Sequence, residues 1–199
     1  MVTLLQQIND DIASLVEGVA DGIVQVRDAR GGAGAGTLWH SDGLVVTNAH
    51  VVGRGPFSVV LRDGRTLPAR LLARDPDLDL AALSVEASGL ATIEVGESRS
   101  LRPGQLVFAV GHPWGVLGAV TGGTVIGTGI AWPGIRRPKG DWIAVKVQLR
   151  PGNSGGALVD AEGRLVGVNT MVTGPEIGLA VPVHIVKEFL KGALESDRG

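Results

Sequence analysis

Cysteine is absent from this sequence of 199 residues, which excludes disulfide bonds, a thiol nucleophile and a thiolate metal site. Aromatic residues are scarce: four Trp and three Phe, which do not alternate with basic residues, offer no stacking platform for nucleic acid. Neither sign of charge is in excess, and the formal net charge of −2 gives no basic surface for nucleic acid or an anionic membrane. No run of about 18 apolar residues occurs, so we expect no insertion into a membrane.

Targeting and metal-binding signals are missing too. The N-terminus, MVTLLQQINDDIASLVEGV, lacks the basic start and apolar run of a secretory signal. This favours a cytoplasmic location, although an exported protein whose signal had been removed would have the same N-terminus. No pair of histidines has metal-ligand spacing, no carboxylate cluster resembles a calcium loop, and GGAGAG at 31–36 lacks the lysine of a phosphate-binding loop. We therefore expect neither a metal nor an organic cofactor.

Glycine, in contrast, is abundant. The 31 glycines and 10 prolines are dispersed among short apolar runs such as GLVVTN and LVFAVG. Turn signals at 41–43 (SDG), 62–64 (RDG) and 161–163 (AEG) separate these runs, a pattern typical of many short strands in an all-β barrel or sandwich. Apolar residues at helical spacing predict a short helix at either end of the chain.

The polar segment GESRSLRPG divides the β region into two similar halves. A chain of this length forms one domain with a sizeable core. Within it we predict an N-terminal helix at 1–19, a first β unit at 20–95, a linker at 96–104, a second β unit at 105–182 and a C-terminal helix at 183–196.

Ser154 lies in RPGNSGGALV among Gly152, Gly155 and Gly156. This segment is either a tight turn or a loop in which the serine hydroxyl and backbone N–H groups face a substrate carbonyl. GNSGG also fits the G-x-S-x-G nucleophile elbow of an esterase. That elbow runs from a strand into a helix, with the acid and then the histidine later in the chain. Here the pattern after Ser154 is strand, turn, strand, and the only histidine later in the sequence is His184. The elbow is therefore disfavoured.

A serine hydroxyl becomes a good nucleophile when a base, itself oriented by a carboxylate, removes its proton. His50 is the candidate base because it ends the apolar strand of LVVTNAHVVG among small residues. Surface or capping roles are predicted for the other three histidines, His40, His112 and His184.

The candidate carboxylates are Asp75, Asp77 and Asp79 in RDPDLDLAALSV. Asp75 and Asp77 flank Pro76 in a predicted loop, where solvated carboxylates are the rule. Asp79 begins the apolar run that follows, and a buried carboxylate needs a partner, for which His50 is available. A turn or capping role for Asp79 is the alternative.

Three blocks of the sequence, TNAHVV, DLDLAAL and RPGNSGGALVD, together resemble the signature blocks of the HtrA/Deg family of trypsin-like serine proteases. The resemblance covers about residues 18–192. It implies an all-β, chymotrypsin-type fold of two six-stranded antiparallel β-barrels, with the active site in the cleft between them and short helices at both ends. It corresponds to the protease domain of that family without a PDZ domain.

The resemblance also implies roles for individual residues. His50 would be the general base, Asp79 its orienting carboxylate and Ser154 the nucleophile. The backbone N–H groups of Gly152 and Ser154 would form an oxyanion hole, in a loop shaped by Asn153. The wall of the specificity pocket is expected near Gln148, Asn169, Thr170, Met171, Ile177 and Leu179.

The implied activity is that of a serine endopeptidase, which hydrolyses peptide bonds of protein substrates through an acyl-enzyme, in HtrA-like protein quality control or regulated proteolysis. One alternative is a peptide-binding or chaperone-like module whose triad rests misaligned, and another is an esterase using the same triad. The trimers of the family often lock through N-terminal aromatic residues. None precedes Trp39 here, so the sequence leaves an oligomer open without predicting that trimer.

Overall fold

The computed structural model of the chain describes residues 3–29, 31–53, 55–130, 141–172 and 176–196. Two closed antiparallel β-barrels of six strands each follow one another along the chain, with a helix at either end. The predicted fold class is therefore confirmed. None of the helices in the described part of the chain is long and apolar enough to cross a membrane.

Helix α1 spans Leu4–Ala20 and begins with a reciprocal cap. The Gln6 N–H donates to the Thr3 hydroxyl at 3.2 Å, and the Thr3 N–H donates to the Gln6 side chain at 2.9 Å. Two N–H groups that the helix itself leaves unpaired are thereby satisfied. The inward face of the helix, which includes Leu15 and Val19, packs against a core cluster shared by the two barrels.

The first barrel consists of β1 (Ile23–Asp28), β2 (Ala33–His40), β3 (Leu44–Thr47), β4 (Phe57–Val60), β5 (Thr66–Asp75) and β6 (Leu80–Val85). Their order around the barrel is β1-β2-β3-β6-β5-β4, and β1 closes it by pairing with β4. Strands β3 and β6 are antiparallel neighbours, with Thr47 opposite Ala81. The residues just after β3 and just before β6 therefore meet at one end of the barrel.

The second barrel consists of β7 (Leu106–Gly111), β8 (Ala119–Ile130), β9 (Trp142–Lys146), β10 (Ala157–Asp160), β11 (Leu165–Val172) and β12 (Gly178–Pro182). Their order is β10-β11-β12-β9-β8-β7, and helix α2 (Val183–Ser196) buries Val186 and Leu190 in the cluster that contains residues of β11 and β12. Ala157 lies opposite Val168, so the loop before β10 meets the middle of β11.

The two barrels share a continuous apolar contact. Ile23 and Ala35 of the first barrel pack in one cluster with Val110 and Ala157 of the second. The Ala35 N–H also donates to the Ser154 carbonyl at 2.8 Å. These contacts hold the ends of β3 and β6 beside the loop before β10, which is where the cleft between the barrels opens.

Candidate active site

His50 lies in the tight turn that follows β3. The Val51 N–H donates to the Asn48 carbonyl at 3.1 Å, and the Arg74 guanidinium donates to the Ala49 carbonyl at 3.0 Å. The Asn48 side chain donates to the Asp79 carbonyl at 2.9 Å and so ties this turn to the start of β6. The His50 side chain stays about half exposed, at 48%.

Asp79 is buried beneath His50. Its side chain is 2% exposed, and its two carboxylate oxygens lie 3.0 Å and 2.9 Å from His50 Nδ1. The His50 backbone N–H donates to the same carboxylate at 3.1 Å, and the Thr170 hydroxyl donates to it from the second barrel. Burial by itself raises the pKa of the Asp79 carboxyl, but the hydrogen bonds from His50 and Thr170 outweigh burial and hold that pKa below its ordinary value.

This contact fixes the tautomer of His50. An ionised carboxylate accepts hydrogen bonds and donates none, so the proton of a neutral His50 ring lies on Nδ1, facing Asp79. Nε2 is left with a lone pair. The ring can therefore accept a proton on its Nε2 side, and the cation that results would be stabilised by Asp79.

The two neighbouring aspartates have other positions. The Asp75 carboxylate accepts from the backbone N–H groups of Asp77 and Leu78 at 2.8 Å and 3.0 Å, which shapes the turn before β6. The side chain of Asp77 is exposed. Of the three aspartates in this segment, the structure brings Asp79 to His50.

The nucleophile loop, residues 150–156, is pinned to both barrels. The Ser154 carbonyl accepts from Ala35 of the first barrel, and the Gly155 N–H donates to the Asn169 carbonyl of the second at 2.8 Å. Gly155 has a φ of 84°, and a Cβ atom there would collide with the Ala35 carbonyl and the Thr47 hydroxyl. A glycine is required at this position because the loop passes directly against the first barrel.

Two N–H groups of this loop have no hydrogen-bond acceptor among the described residues, while a third is paired. The Asn153 N–H donates to the Arg150 carbonyl at 2.9 Å. The N–H groups of Gly152 and Ser154, in contrast, donate to no acceptor within the described residues. Gly152 has a φ of 101°, which is accessible to glycine and orients this turn of the loop. Two unpaired N–H groups beside a serine hydroxyl can stabilise a negatively charged oxygen.

The Ser154 hydroxyl is held by the second barrel. It donates to the Thr170 carbonyl at 2.7 Å, and within the described part of the chain it makes no hydrogen bond with His50. Thr170 thus contacts two members of the predicted triad, Asp79 through its hydroxyl and Ser154 through its carbonyl. The sequence predicted Thr170 only for the pocket wall. The signal that could have revealed more is the polar pair Asn169–Thr170 inside the apolar strand LVGVNTMV.

A cleft of about 550 Å³ surrounds His50 and Ser154. It is lined by Asp28, Gly32, Ala33, Val51 and Gly53 from the first barrel, and by Leu149, Arg150, Pro151, Gly152 and Thr170 from the second. Ser154 and Gly152, whose N–H has no acceptor among the described residues, thus line the same cleft as His50.

The remaining residues predicted for the pocket lie in different places. Gln148 is exposed and does not line this cleft, whereas its neighbour Leu149 does. Asn169 is fully buried and donates to the Ala157 carbonyl at 2.7 Å, and Leu179 is buried in the core. Ile177 is half-buried. The side chain of Met171 lies outside the described residues.

The other histidines lie outside the cleft. His40 is exposed, and His184 at the start of α2 contacts the Ser98 hydroxyl through Nδ1 at 2.8 Å. His112 is the N-cap residue of the short helical turn Pro113–Gly115, although its side chain makes no capping bond, and the predicted surface role is wrong because the residue is only 4% exposed. Among the residues that the structure describes, no three His, Cys, Asp or Glu side chains converge as metal ligands would.

Comparison with known proteins agrees with this geometry. The family profile described as "Trypsin-like peptidase domain" matches residues 34–168. The chain is 36% identical over 202 residues to the serine protease HTRA2, mitochondrial, of Drosophila ananassae, covering 92% of this chain and 47% of that protein. It is also 36% identical over 174 residues to the putative serine protease HhoB of Synechocystis sp., covering 82% of this chain and 42% of that protein. The chain thus spans about half the length of these relatives.

Solved structures of similar fold include HtrA-type proteases. One is the HtrA-type protease AlgW with a decapeptide, with a TM-score of 0.85 and 30% identity over 92% of this chain and 67% of that one. Another is AlgW with a tripeptide, with a TM-score of 0.86 and 34% identity over 93% of this chain and 64% of that one. The chain therefore belongs to the trypsin-like peptidase domain family and is of the HtrA type.

Proposed function

We propose that this chain is a serine endopeptidase that hydrolyses peptide bonds of protein substrates through an acyl-enzyme intermediate. The observation that carries the proposal is the pairing of the buried Asp79 with the half-exposed His50, beside Ser154 and two N–H groups that have no acceptor among the described residues. In these roles Ser154 is the nucleophile, His50 the general base and Asp79 the carboxylate that orients it. Relatives named as serine proteases support the assignment.

Substrate binding would prepare the nucleophile. The Thr170 carbonyl lines the cleft and accepts the Ser154 hydroxyl. A backbone N–H of a bound peptide can donate to this carbonyl in place of the Ser154 hydroxyl. The hydroxyl is then free to turn toward His50 Nε2. Peptides bound to solved HtrA-type relatives support a peptide or protein substrate.

The chemical steps follow from the positions of the donors. His50 Nε2 takes the proton of Ser154 as Oγ bonds to the substrate carbonyl carbon, and the carbonyl oxygen becomes an anion held by the N–H groups of Gly152 and Ser154. His50 then gives that proton to the leaving amine as the peptide bond breaks, which leaves an acyl-Ser154 ester. Water, deprotonated by His50, attacks this ester; the bond from the acyl carbon to Ser154 Oγ breaks, His50 returns the proton to Oγ, and the acid product leaves. Asp79 stays ionised throughout and stabilises the His50 cation.

The decisive experiment compares Ser154→Ala with Ser88→Ala, which changes an exposed serine outside the cleft. With casein as substrate, Ser154→Ala should lose on the order of 10⁶-fold in kcat, while Ser88→Ala should cleave at the wild-type rate. Circular dichroism should show that both variants are folded. Equal casein cleavage by Ser154→Ala and the wild type would reject the proposed nucleophile.

One observation favours a second candidate, a peptide-binding or chaperone-like module. The Ser154 hydroxyl is directed at the Thr170 carbonyl, which is the arrangement expected if the triad rests unassembled. A fluorophosphonate separates the two functions, because it reacts with an activated serine and not with an ordinary one. Modification of Ser154 supports the protease, and no modification where trypsin reacts supports the module. An esterase would hydrolyse esters and leave peptides intact.

The biological role is proposed from the HtrA relationship as protein quality control or regulated proteolysis. Such a role requires a preference for unfolded chains, which can enter the open cleft in an extended form. We expect faster cleavage of a thermally unfolded substrate than of the same protein in its native state, measured by gel densitometry. Equal rates on both forms would contradict quality control without contradicting the protease activity.

A further inference from the structure

The segment 112–118, which follows β7, lies directly behind the nucleophile loop. The His112 N–H donates to the Gly152 carbonyl at 3.0 Å, and the Trp114 N–H donates to the Pro151 carbonyl at 3.4 Å. A Cβ atom on Gly152 would collide with the His112 carbonyl. The Trp114 bond holds the peptide group that contains the Gly152 N–H, and the His112 bond holds the peptide group that follows it. The position of Gly152, which lines the cleft, is therefore set by the backbone of this segment.

The side chain of His112 closes this segment on itself. Its Nδ1 accepts the N–H of Gly118 at 3.0 Å, across a span of six residues. Between them Trp114 has a φ of 52°, a left-handed conformation that is unfavourable for a residue other than glycine, and its side chain is 75% exposed. Packing of the Trp114 side chain does little to hold that conformation. Two backbone bonds inside the segment, from the Gly115 N–H to the His112 carbonyl and from the Val116 N–H to the Pro113 carbonyl, both at 3.0 Å, shape its turn, and the imidazole bond ties its end at Gly118 back to its start.

The ring is buried and neutral. Because Nδ1 accepts a hydrogen bond, the single proton of the neutral ring lies on Nε2, which is buried, and the backbone groups of Val24 and Val116 also interact with the ring. Burial lowers the pKa of His112, in agreement with a neutral ring. His112 therefore serves as an acceptor for the Gly118 N–H and cannot be the base for Ser154. In the proposed mechanism His50 is that base.

We propose that His112 is a positioning residue for the hydrolysis: by accepting the Gly118 N–H it fixes the segment 112–118, and this segment, through the Trp114 N–H that holds the Pro151 carbonyl, aims the Gly152 N–H of the same peptide group at the oxyanion. This inference rests on the proposed function. It predicts a specific kinetic pattern, because the Gly152 N–H acts on the negative oxygen that exists only in the transition state. Loss of the imidazole acceptor should lower kcat and leave KM nearly unchanged.

The test compares three substitutions at this position. His112→Leu has similar bulk and no acceptor, His112→Asn places an acceptor close to the position of Nδ1, and His112→Gln places one close to that of Nε2. Complete loss of one oxyanion donor costs about 10²–10³ in kcat, so a misaimed donor should cost about 10- to 100-fold. We expect this loss with Leu and Gln, and at least about tenfold recovery with Asn. His40→Leu, which changes an exposed histidine, serves as the control and should match the wild type.

Turnover of a fluorogenic peptide gives kcat and KM, and amide hydrogen exchange of peptides covering residues 150–156 reports on the loop itself. Exchange should rise with Leu and Gln and return toward wild type with Asn. If His112→Leu fails to fold, the contrast between Asn and Gln decides. Equal kcat for these two, or a loss that lies in KM, overturns the inference while wild-type turnover keeps the proposed function. If the wild type cleaves no peptide, the proposed function falls and this inference falls with it.

Discussion

At the scale of single residues, Asp79 combines an unusual backbone with a buried charge. Its φ of 55° lies in the left-handed region, which Asp and Asn tolerate better than most residues. The substitution Asp79→Asn should therefore keep the backbone while placing an amide against His50 Nδ1, which favours the wrong tautomer. We expect kcat on a peptide to fall by about 10⁴-fold. Asp77→Asn, an exposed neighbour, should stay within about twofold; a loss as large as that of Asp79→Asn would contradict the assignment.

Thr170 supports the same carboxylate through its hydroxyl. Thr170→Val keeps the shape and the backbone carbonyl but removes the hydrogen bond to Asp79, whereas Thr170→Ser keeps that bond. A hydrogen bond to a charged group contributes about 1.5–3 kcal/mol. We expect kcat to fall about tenfold or more for Val and by much less for Ser, measured on the same peptide. Equal rates for the two variants would mean that the hydroxyl has no part in orienting the triad.

The buried His112 makes stability depend on pH. Burial lowers its pKa in the folded state, so below the ordinary value of 6.5 the unfolded chain binds more protons than the folded one. The neutral ring makes its full contribution to the free energy of unfolding above that pH, and this contribution is lost as the pH falls toward the pKa of the folded state. His112→Asn should show a smaller decrease in urea midpoint between neutral and mildly acidic pH. An unchanged decrease would show that other groups dominate.

At the scale of elements, the nucleophile loop depends on glycine for two separate reasons. Gly155 has a positive φ and also no space for a Cβ atom, whereas Gly64 has a φ of 88° with open space around it. Gly64→Ala should therefore cost only the backbone term, about 1–2 kcal/mol. Gly155→Ala adds a collision with the first barrel, and we expect at least about 2 kcal/mol more, from chemical denaturation. Similar losses for both would argue against close packing of the loop on the first barrel.

The elements themselves follow from the sequence because their signals are local. Thr3 and Gln6 form the capping box of α1, and the turn signals at 41–43 and 62–64 separate strands of the first barrel. Which residue beyond the end of a strand faces the cleft depends on tertiary packing, and local sequence signals do not determine it. The family resemblance placed Gln148 near the pocket wall, whereas in the structure its neighbour Leu149, three residues beyond the end of β9, lines the cleft.

Burial of loop residues was the other feature beyond the reach of the sequence. The segment GHPWG carries the glycine and proline of an exposed loop, which led to a surface or capping role for His112. Its burial arises from the packing of β7 against β10, with Ala109 opposite Leu158, which places the end of β7 beneath the nucleophile loop. This pairing joins residues about fifty positions apart, and a pattern of neighbouring residues does not encode it.

At the scale of the whole molecule, the candidate site exists only when both barrels are joined. His50 and Asp79 come from the first barrel, and Ser154 and Thr170 from the second. The sequence predicted two β units and a linker. The order of the three signature blocks, through their resemblance to the HtrA/Deg family, implied an active site in the cleft between the two units. The contacts that lock the halves together, such as the bond from Ala35 to Ser154, depend on the packing of both barrels.

The shared core implies that the two barrels lose stability together. Ile23 is fully buried in the cluster that contains Val110 and Ala157 of the second barrel. Ile23→Ala should destabilise the protein by about 2–5 kcal/mol. Because the cluster belongs to both barrels, amide exchange should accelerate to a similar degree in β3 and in β9, which lie in different barrels. Acceleration limited to β3 would show instead that the barrels unfold independently, so that a cleft between them could open without loss of either fold.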